Sequence, residues 1–274
     1  MTKKNISIII STYNSEDWLQ LVLYGYNYQT INNFEIVIAD DGSKEPTKIL
    51  IDKFKEIAKY PIKHVWHKDN GFQKSQILNK AIIACDGAYI IMSDGDCIPR
   101  KDFVEIHDKN KEEGSFLSGG YFMLPMSISK IITKNNVENG NCFNLKWLKT
   151  QGLPSSFKNN KLNSKGLKTK VLNATTPTKA TWNGHNASGW KKDILAVNGF
   201  DERMQYGGQD RELGERLINL GIKSKQIRYS AIVVHLDHPR GYKTKESIDK
   251  NLKIREITRN DNVVKTPFGI KKQD

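Results

Sequence analysis

The sequence predicts an α/β fold with a mostly parallel central sheet flanked by helices. In the first 92 residues, short apolar runs alternate with segments whose apolar residues recur at helical spacing, which is typical of β-α-β units. Each apolar run ends in a polar turn, as expected where parallel strands end beside a ligand crevice. The length of 274 residues suits one large domain, or two closely joined halves, with a sizeable core.

Four predicted strands and three predicted helices alternate through this part of the chain. The runs at 6–10 and 34–39 are continuously apolar or nearly so, which indicates strands buried on both faces. Ser15 is suited to cap the first helix, because its hydroxyl can accept a hydrogen bond from a free backbone N–H group. The remaining predictions are strands at 62–66 and 89–92, a helix at 74–84, and a helix at 47–60 that buries Ile49, Leu50, Phe54 and Ile57.

The second half of the chain begins with a segment of different composition. Residues 127–180 are rich in Lys, Asn, Ser and Thr and have few periodic apolar runs, which predicts a flexible insert over the crevice or a solvated loop without function. A helix at 210–220, stopped by Gly221, and a strand at 229–234 follow. The tail is charged and contains one predicted helix, at 246–257.

The net charge of +13 is distributed unevenly and favours an anionic partner. Residues 139–192 contain ten lysines and no Asp or Glu, so this stretch could face a nucleic acid, an anionic membrane or an anionic substrate. The lysines are not interleaved with aromatic residues that could stack on bases, and no nucleic-acid-binding motif accompanies them. We therefore expect no nucleic-acid partner.

The cysteines and the apolar runs bear on location. Three cysteines without CxxC spacing indicate a reducing compartment rather than a disulfide framework. The first apolar run, residues 6–10, is too short for a signal peptide or a membrane span, and no other stretch approaches about 18 apolar residues. We expect a cytoplasmic protein without an integral anchor, which the lysines at 139–192 could attach to the inner face of the membrane.

Two carboxylates one residue apart follow the fourth predicted strand. In IIMSDGDCIP, Asp94 and Asp96 would repel each other unless a positive group lies close to both. A polar turn after a strand is the alternative interpretation. The turns STYN, ADDGS, HKDNGF and SDGD all lie at carboxyl ends of predicted strands and should meet at one crevice, which favours a metal site over a simple turn.

The motifs SIIISTYN, VIADDGS, SDGD and NGFDERMQYGGQDRELGERL occur in this order and together resemble the inverting glycosyltransferases of the family 2 type, which have the Rossmann-like GT-A fold. HKDNGFQKSQILNKAI and YGGQDRE are similar, more narrowly, to bacterial chondroitin-polymerase domains and to galactosyl- and N-acetylgalactosaminyltransferases. The resemblance covers residues 5–125 and 182–240. It implies a single domain with a nucleotide-sugar-binding half at 1–125, an acceptor-binding and catalytic half at 126–240, and a basic tail at 241–274.

The resemblance implies a metal site. In the similar enzymes, the second acid of an Asp-x-Asp motif binds the metal, the first also reaches the ribose, and a histidine from a later strand is the third protein ligand. These roles match Asp96, Asp94 and His235, with His238 as the alternate histidine. Oxygen ligands with one imidazole suit Mn²⁺, with Mg²⁺ as a substitute.

The resemblance also assigns residues to the donor, a UDP-sugar. Tyr13 would stack on the uracil, Asp41 would accept a hydrogen bond from it, and Ser11 would offer backbone contacts. Lys74 would approach the phosphates or the base, unless it is an exposed helical lysine. The other residues matched to the donor are Asp40, Gly95, Trp182, Gly184, His185, Asn186, Gly208 and Gln209. Of these, Asp40 could be structural and Trp182 could belong to the core.

Asp210 matches the general base of the similar enzymes, which deprotonates the acceptor hydroxyl during an inverting transfer. It ends the segment Gly207-Gly208-Gln209-Asp210. The similar enzymes usually have Glu in place of Gln209, so the preferred sugar is left open. The alternative is that Asp210 only caps its helix.

The function implied by the resemblance is metal-dependent transfer of a hexose or an N-acetylhexosamine from a UDP-sugar to a hydroxyl group of a glycan acceptor, in bacterial surface polysaccharide synthesis. The acceptor could be linked to a lipid diphosphate. Two other classes are the alternatives: a nucleotidyltransferase that makes a nucleotide-sugar, and a non-catalytic glycan-binding module. The residues leave the donor sugar, the acceptor, the linkage and the number of sugars added open.

Overall fold

A computed structural model of the protein describes residues 5–239 and 243–272, so residues 241–242 and 273–274 of the predicted tail lie outside the described ranges. The strands are β1 Ile6–Thr12, β2 Phe34–Asp40, β3 Ile62–Trp66, β4 Tyr89–Asp94, β5 Cys97–Pro99, β6 Ser115–Ser118, β7 Gly120–Met123, β8 Ala187–Trp190, β9 Lys223–Gln226 and β10 Ile232–His235. The helices are α1 Glu16–Asn27, α2 Glu45–Lys55, α3 Lys74–Ala84, α4 Phe103–Asn110, α5 Met126–Ser129, α6 Lys134–Glu138, α7 Leu145–Thr150, α8 Asn160–Asn163, α9 Gly166–Thr175, α10 Lys191–Ala196, α11 Gln209–Asn219 and α12 Lys245–Asn260. These elements confirm the predicted α/β fold.

The central sheet has seven strands in the order β3-β2-β1-β4-β8-β6-β9. Its first four strands are parallel, as predicted, and helices α1, α2 and α3 are the crossover connections that parallel neighbours need. β8 runs antiparallel to both β4 and β6. The sheet is therefore mixed at the end that the second half of the chain supplies.

Alternate residues of β1 face two hydrophobic clusters on opposite sides of the sheet. Ile8 and Ile10 belong to the cluster that contains residues of α1, whereas Ile9 belongs to the cluster that contains Ile77 and Ile82 of α3. Burial on both faces explains why the sequence of β1 is nearly continuously apolar from Ile6 to Ile10. It also leaves the ends of the strands as the places where polar side chains can gather.

Helix α2 differs from its prediction in bounds and in buried face. It covers Glu45–Lys55 rather than 47–60. Ile51 and Phe54 are buried, whereas Ile49 and Ile57, which were predicted to face the core, are 45% and 54% exposed. The prediction was right for Leu50 and Phe54 and wrong for Ile49 and Ile57, because apolar residues lie on two adjacent stripes of this helix and periodicity alone does not choose between them.

A second sheet of three strands has the order β5-β10-β7. It joins segments that are distant in the sequence, because β10 pairs antiparallel with β5 and parallel with β7. In this register His235 is paired with Cys97, the residue after Asp96. The small sheet therefore brings together predicted metal ligands from the two halves of the chain.

The insert at 127–180 is folded into short helices, so the expectation of a flexible or irregular segment was wrong. Its residues Leu148 and Leu162 are buried in the larger hydrophobic cluster. Asn173 on α9 accepts a hydrogen bond from the backbone N–H group of Tyr229 at 2.8 Å, which attaches the insert to the segment before β10. Most of these helices are too short for a periodic pattern to show in the sequence.

Helix α12 makes the described part of the tail a packed element. It begins after Thr244, whose side chain accepts a hydrogen bond from the Ser247 backbone N–H group at 3.2 Å. Asn251 donates to the carbonyl oxygen of Gly207 at 3.1 Å and so attaches α12 to the loop before α11. By contrast, Ser15 occupies the predicted cap position of α1, but its side chain makes no capping hydrogen bond.

A buried ion pair ties α11 to the turn at 197–199. The side chains of Arg216 and Glu212 are 0% and 1% exposed and are joined by two hydrogen bonds of 2.7 and 2.8 Å. Arg216 also donates to the backbone carbonyl oxygens of Val197 and Gly199. Because a buried guanidinium is stable only with such a complete set of acceptors, the position of α11 depends on this pair.

Arg216→Met should destabilise the protein strongly. The change leaves the Glu212 carboxylate buried without its partner, which should lower the free energy of unfolding by about 3–5 kcal/mol. Urea denaturation followed by circular dichroism measures this loss. Arg259→Met is the control, since Arg259 is 48% exposed and lies 3.6 Å from Glu215, and its loss should be below about 1 kcal/mol. Equal losses in the two variants would contradict this assignment.

Candidate active site

The polar turns after β1, β2 and β4 open onto one cleft of about 1070 Å³, so the predicted convergence of these turns is observed. A cleft of this size can enclose a ligand of several rings. The predicted site residues that line it are Ser11, Tyr13, Asp41, Lys74, Asp94, Gly95, Asp96, Gly184, His185, Gly208, Gln209, Asp210, His235 and His238.

The first acid of the pair, Asp94, is neutralised by a lysine. Its Oδ1 accepts hydrogen bonds from Lys74 Nζ at 2.7 Å and from Ser11 Oγ at 2.6 Å. Burial favours the neutral acid, but the Lys74 charge outweighs burial and holds the pKa of Asp94 below its usual range. Burial likewise opposes the charge of Lys74, and Asp94 outweighs it, so the pKa of Lys74 is raised. Lys74 is therefore a residue of the cleft and not an exposed helical lysine.

The second acid, Asp96, faces two histidines. His238 Nε2 lies 2.9 Å from Asp96 Oδ2, and His235 Nε2 lies 3.6 Å from Asp96 Oδ1. The two imidazole rings are nearly parallel, with centroids 5.6 Å apart. The backbone carbonyl oxygen of Asp96 accepts the Leu236 N–H group at 2.9 Å, which fixes the acid relative to the histidine segment. The two acids of the pair thus have separate partners.

The hydrogen bonds of the two rings show that this group fits a cation. In each ring Nδ1 faces a backbone carbonyl oxygen, that of Leu236 at 2.7 Å and that of Pro239 at 2.9 Å. Because a carbonyl oxygen only accepts, Nδ1 carries the hydrogen, and Nε2 presents either a lone pair or a second proton to Asp96. A divalent ion beside Nε2 and the carboxylate would remove the repulsion between their lone pairs, and this donor set suits Mn²⁺.

Asp41 is oriented by the loop after β3. Its Oδ1 lies 2.8 Å from His67 Nε2, and its Oδ2 accepts the Gln73 backbone N–H group at 3.0 Å. Burial raises the pKa of Asp41, and the contacts with His67 and Gln73 offset part of this effect. A carboxylate held in this way at the cleft wall is suited to accept a hydrogen bond from a ligand N–H group.

Asp40, the second candidate beside Asp41, is a structural residue. It is 1% exposed, and its two oxygens are engaged by the Ser43 backbone N–H group and by His64 Nε2, both at 2.8 Å. It does not line the cleft, so its predicted contact with the ligand was wrong. Successive side chains point to opposite faces at a strand end, and only one of the two adjacent acids can face the cleft.

Tyr13 and Gly95 shape the mouth of the cleft. The Tyr13 ring is 50% exposed, and its hydroxyl donates to Asp69 Oδ2 at 2.9 Å, which leaves the ring face open for stacking. The Gly95 backbone N–H group donates to the Ser11 carbonyl oxygen at 2.8 Å. A Cβ atom at Gly95 would lie 3.1 Å from that oxygen, so glycine permits the turn to approach the end of β1.

Asp210 lies in the first turn of α11 with its carboxylate in the cleft. Its Oδ2 accepts the Gly184 N–H group at 3.0 Å, and its Oδ1 accepts the Arg211 N–H group at 2.9 Å. The cap position belongs to Gly208, whose φ of +88° favours glycine, so Asp210 is not the helix cap. Gln209 is 8% exposed, and its side-chain oxygen accepts a hydrogen bond from the Gly207 backbone N–H group.

Trp182 and Asn186, which were predicted to contact the donor sugar, are core residues. Trp182 is 0% exposed and packs against Phe116 with ring centroids 5.7 Å apart. Asn186 is also fully buried, and its amide donates to the carbonyl oxygens of Gly120 and Ala231 at 2.7 and 3.0 Å. These predictions were wrong because both side chains turn inward, while the glycine and the histidine between them face the cleft.

His185 is a further titratable residue of the cleft. Burial lowers its pKa to about 4, although the nearby Asp94 and Asp210 carboxylates oppose this effect. The imidazole is therefore neutral at pH 7. The Tyr121 ring packs edge-on against it with centroids 4.7 Å apart, a contact that no sequence motif indicates.

Helix α12 supplies a wall of the cleft that the sequence did not predict. Ile248, Leu252 and Arg255 line this wall. Arg255 pairs with Glu215 on α11 at 2.6 Å, which holds the two helices together beside the cleft. The spacing of three or four residues places these side chains on one face of the helix, and this spacing can be read from the sequence. The spacing does not show which part of the protein that face contacts.

Residues 7–115 match the model of the family described as Glycosyl transferase family 2. Over 290 residues the chain is 24% identical to chondroitin synthase from Escherichia coli, and the alignment covers 98% of this chain and 39% of that protein. Over 248 residues it is 31% identical to chondroitin synthase from Pasteurella multocida strain Pm70, and the alignment covers 80% of this chain and 23% of that protein. The chain carries a family 2 glycosyltransferase domain of the GT-A fold. It spans less than half the length of these two relatives.

Solved structures that share the fold of this chain have a low sequence identity to it. Mannosyltransferase PcManGT from Pyrobaculum calidifontis, in complex with GDP-Man and Mn²⁺, has a TM-score of 0.60 at 15% identity, with 93% of this chain and 61% of that chain covered. GalNAc-T7 with UDP, GalNAc and Mn²⁺ has a TM-score of 0.62 at 14% identity, with 93% and 48% covered. Both confirm the GT-A fold that the motifs implied.

Asp96→Ala should abolish Mn²⁺-dependent binding of UDP to the family 2 domain. The variant loses the carboxylate that faces both histidines, so the affinity should fall by more than the roughly 10–100-fold that loss of an outer partner costs. Calorimetric titration of UDP with and without Mn²⁺ measures the effect. Glu113→Gln, at an acid that is 76% exposed and does not line the cleft, is the control. Metal-dependent binding that survives in Asp96→Ala would show that the metal site lies elsewhere.

Proposed function

We propose that the protein is a metal-dependent, inverting glycosyltransferase that moves a hexose or an N-acetylhexosamine from a UDP-sugar to a hydroxyl group of a glycan acceptor. The observation that carries the proposal is that Asp210 and the group of Asp96, His235 and His238 face the same cleft. Displacement of a diphosphate by a hydroxyl group needs both features, a base for the acceptor and a cation site for the leaving group. A glycan-binding module needs neither.

The transfer forms one bond and breaks one bond. The acceptor oxygen attacks the anomeric carbon, its proton passes to an oxygen of Asp210, and the bond from the anomeric carbon to the diphosphate oxygen breaks with its electron pair leaving on UDP. The Gly184 N–H group orients the Asp210 carboxylate for this step. Lys74 contributes positive charge beside the diphosphate, and a bound Mn²⁺ would add further positive charge there. Attack opposite the leaving group inverts the anomeric configuration.

The two halves of the chain divide the substrates in this proposal. Residues 1–125 supply Tyr13, Asp41 and Lys74 for the nucleotide, whereas residues 126–240 supply the base and the acceptor side. Uracil offers one imino N–H group, and the Asp41 carboxylate, which is engaged once at each oxygen inside the protein, keeps the acceptor capacity to bind it. GalNAc-T7, solved with UDP, supports this choice of nucleotide.

The donor is identified by a screen of UDP-sugars for Mn²⁺-dependent UDP release, with and without candidate glycan acceptors. GDP-mannose is the comparison donor, because the mannosyltransferase of the same fold was solved with it. Release from at least one UDP-hexose or UDP-N-acetylhexosamine, stimulated by an acceptor, is the expected result. Turnover of GDP-mannose alone would overturn the assignment of the nucleotide.

We further propose that the acceptor is a growing bacterial surface glycan, presented on a lipid diphosphate or itself anionic. The similarity to two chondroitin synthases supports a polysaccharide acceptor. None of the helices in the described ranges combines the length and the apolar character that a membrane crossing requires. The exposed lysines of the acid-free stretch 139–192 would instead give reversible attachment to an anionic inner membrane face, at about 1 kcal/mol for each lysine near the surface.

Asp210→Asn should reduce transfer by about a hundredfold or more, because the amide cannot take the acceptor proton. UDP-sugar affinity should stay near that of the unchanged protein, since the amide oxygen can still accept the Gly184 N–H group. Steady-state turnover and calorimetric UDP-sugar binding separate the two effects. If the variant keeps most of its turnover, the base is a different residue.

Replacing Lys165, Lys168, Lys170 and Lys179 by Gln should weaken binding to anionic vesicles at least about tenfold, because four exposed positive charges of the insert are lost. Co-sedimentation with vesicles of mixed neutral and anionic lipid, at low and high salt, measures the binding. The control removes the same charge outside the insert, at Lys44, Lys48, Lys53 and Lys55 around α2. Wild-type protein that ignores anionic vesicles at low salt would disprove the attachment.

A further inference from the structure

Two basic side chains lie beside β7 where the insert reaches it. Lys161, which is half-buried, contacts Tyr121, and Arg228 packs against Gly120, so closely that its carbonyl oxygen lies 2.1 Å from the position that a Cβ atom of residue 120 would take. Together with the exposed Lys158, whose charge also acts on Lys161, they form the cationic cluster. Lys161 Nζ donates to the Tyr121 carbonyl oxygen at 2.8 Å and lies 5.0 Å from the centroid of the Tyr121 ring. The ammonium group is thus held in one place by a carbonyl oxygen and an aromatic ring.

Among the described residues, the cationic cluster has no ion-paired acid to balance it. Residues 139–192 contain no Asp or Glu, and within the part of the chain that the structure describes no carboxylate forms an ion pair with Lys158, Lys161 or Arg228. Burial, together with the charges of Arg228 and Lys158, lowers the pKa of Lys161 to about 8. Holding like charges together in a partly buried position is unfavourable unless an anion joins them.

One aromatic ring separates the cationic cluster from the reacting centre. The Tyr121 ring packs against His185 at 4.7 Å and lies 6.0 Å from His235, measured between centroids. His185 follows Gly184, whose N–H group holds the base Asp210. The cluster therefore lies on the side of the cleft where the second half of the chain supplies the base, which is the acceptor side of the proposed reaction.

Hydrogen bonds hold the cluster in a defined geometry. Arg228 donates to Thr178 Oγ1 at 3.1 Å, and the Gln226 side chain donates to the Thr178 carbonyl oxygen at 3.2 Å. The Asn173 side chain accepts the Tyr229 N–H group at 2.8 Å. These bonds connect α9 and the residues after it to the segment before β10. Lys161 and Arg228 are thus half-buried and fixed by hydrogen bonds, whereas Lys158 and the other lysines of the insert are exposed.

We propose that Lys161 and Arg228, assisted by Lys158, bind an anionic group of the acceptor glycan and so select an anionic acceptor over a neutral one. The inference rests on the proposed glycosyltransferase function and names the chemistry of its second substrate. The anion is a carboxylate of a uronic acid or a phosphate ester, since both accept hydrogen bonds from ammonium and guanidinium groups. These residues determine specificity and take no part in proton transfer.

The test compares three glycans on protein saturated with UDP and Mn²⁺. The probes are a tetrasaccharide that ends in glucuronate, its carboxyl-reduced neutral form, and the neutral form with a phosphate at the reducing end. Titration followed by NMR or calorimetry measures each dissociation constant at low salt. At least one anionic probe should bind about tenfold more tightly than the neutral probe, and which of the two does so identifies the source of the anion.

Lys161→Met and Arg228→Met should each reduce this preference to less than about threefold, because an apolar side chain of similar length keeps the packing but not the charge. Lys161→Arg should restore most of the preference. Lys170→Gln, at an exposed lysine of the same insert, should leave it unchanged. UDP affinity in the presence of Mn²⁺ should match wild type in all four variants, which shows that the cleft remains folded.

Equal binding of the three glycans to the wild-type protein would overturn the inference, and so would an unchanged preference in both methionine variants. If Lys161→Met and Lys170→Gln weaken binding to anionic vesicles equally while the glycan preference persists, the cluster is part of a membrane surface and the inference is also wrong. Failure of the proposed function looks different, because no UDP-sugar would then be turned over. Efficient transfer to neutral and anionic acceptors alike would refute only the inference.

Discussion

The negative charge gathered at one edge of the central sheet is the constraint on which the site depends. Asp41, Asp94, Asp96 and Asp210 line a single cleft, and like charges so close are tolerated only when each has a positive or donating partner. Lys74 neutralises Asp94, and backbone N–H groups reach Asp41 and Asp210. Asp96 faces the Nε2 atoms of two imidazoles, and this set of donor atoms suits a cation. The charge balance thus separates the proposed nucleotide side, the proposed base and the proposed metal position within one cleft.

The small sheet gives these parts a common support. β10 pairs with β5, which sets His235 against the residue after Asp96, and it pairs with β7, which carries Tyr121. The Tyr121 ring in turn contacts His185 on one side and Lys161 on the other. The proposed metal group, the cleft wall and the cationic cluster are therefore neighbours through three short strands. Such rigid elements hold a site more accurately than loops do.

Several residues expected to touch the ligand act one layer behind it. Trp182 fills the core below the segment that carries Gly184 and His185, and Asn186 bonds that segment to two backbone carbonyl oxygens of the neighbouring strands. Asp40 likewise supports the turn after β2, because its carboxylate accepts a hydrogen bond from the Ser43 backbone N–H group. A polar or aromatic side chain whose contacts all lie inside the protein can position the backbone of a site without contacting the substrate. Motif matching predicted that these side chains contact the ligand, whereas the structure places them in this supporting layer.

The sequence alone determined the alternation of strands and helices in the first third of the chain and the crevice at their carboxyl ends, because periodicity and polar turns are local properties. It also identified Asp94, Asp96, Asp210 and His235 through motifs of fixed spacing. Only the tertiary structure decided which way Trp182 turns, that the insert and tail are packed elements, and that a lysine of the insert lies one ring from the cleft. These features depend on contacts between residues far apart in the chain, and the local sequence around a residue does not indicate which distant residue it contacts.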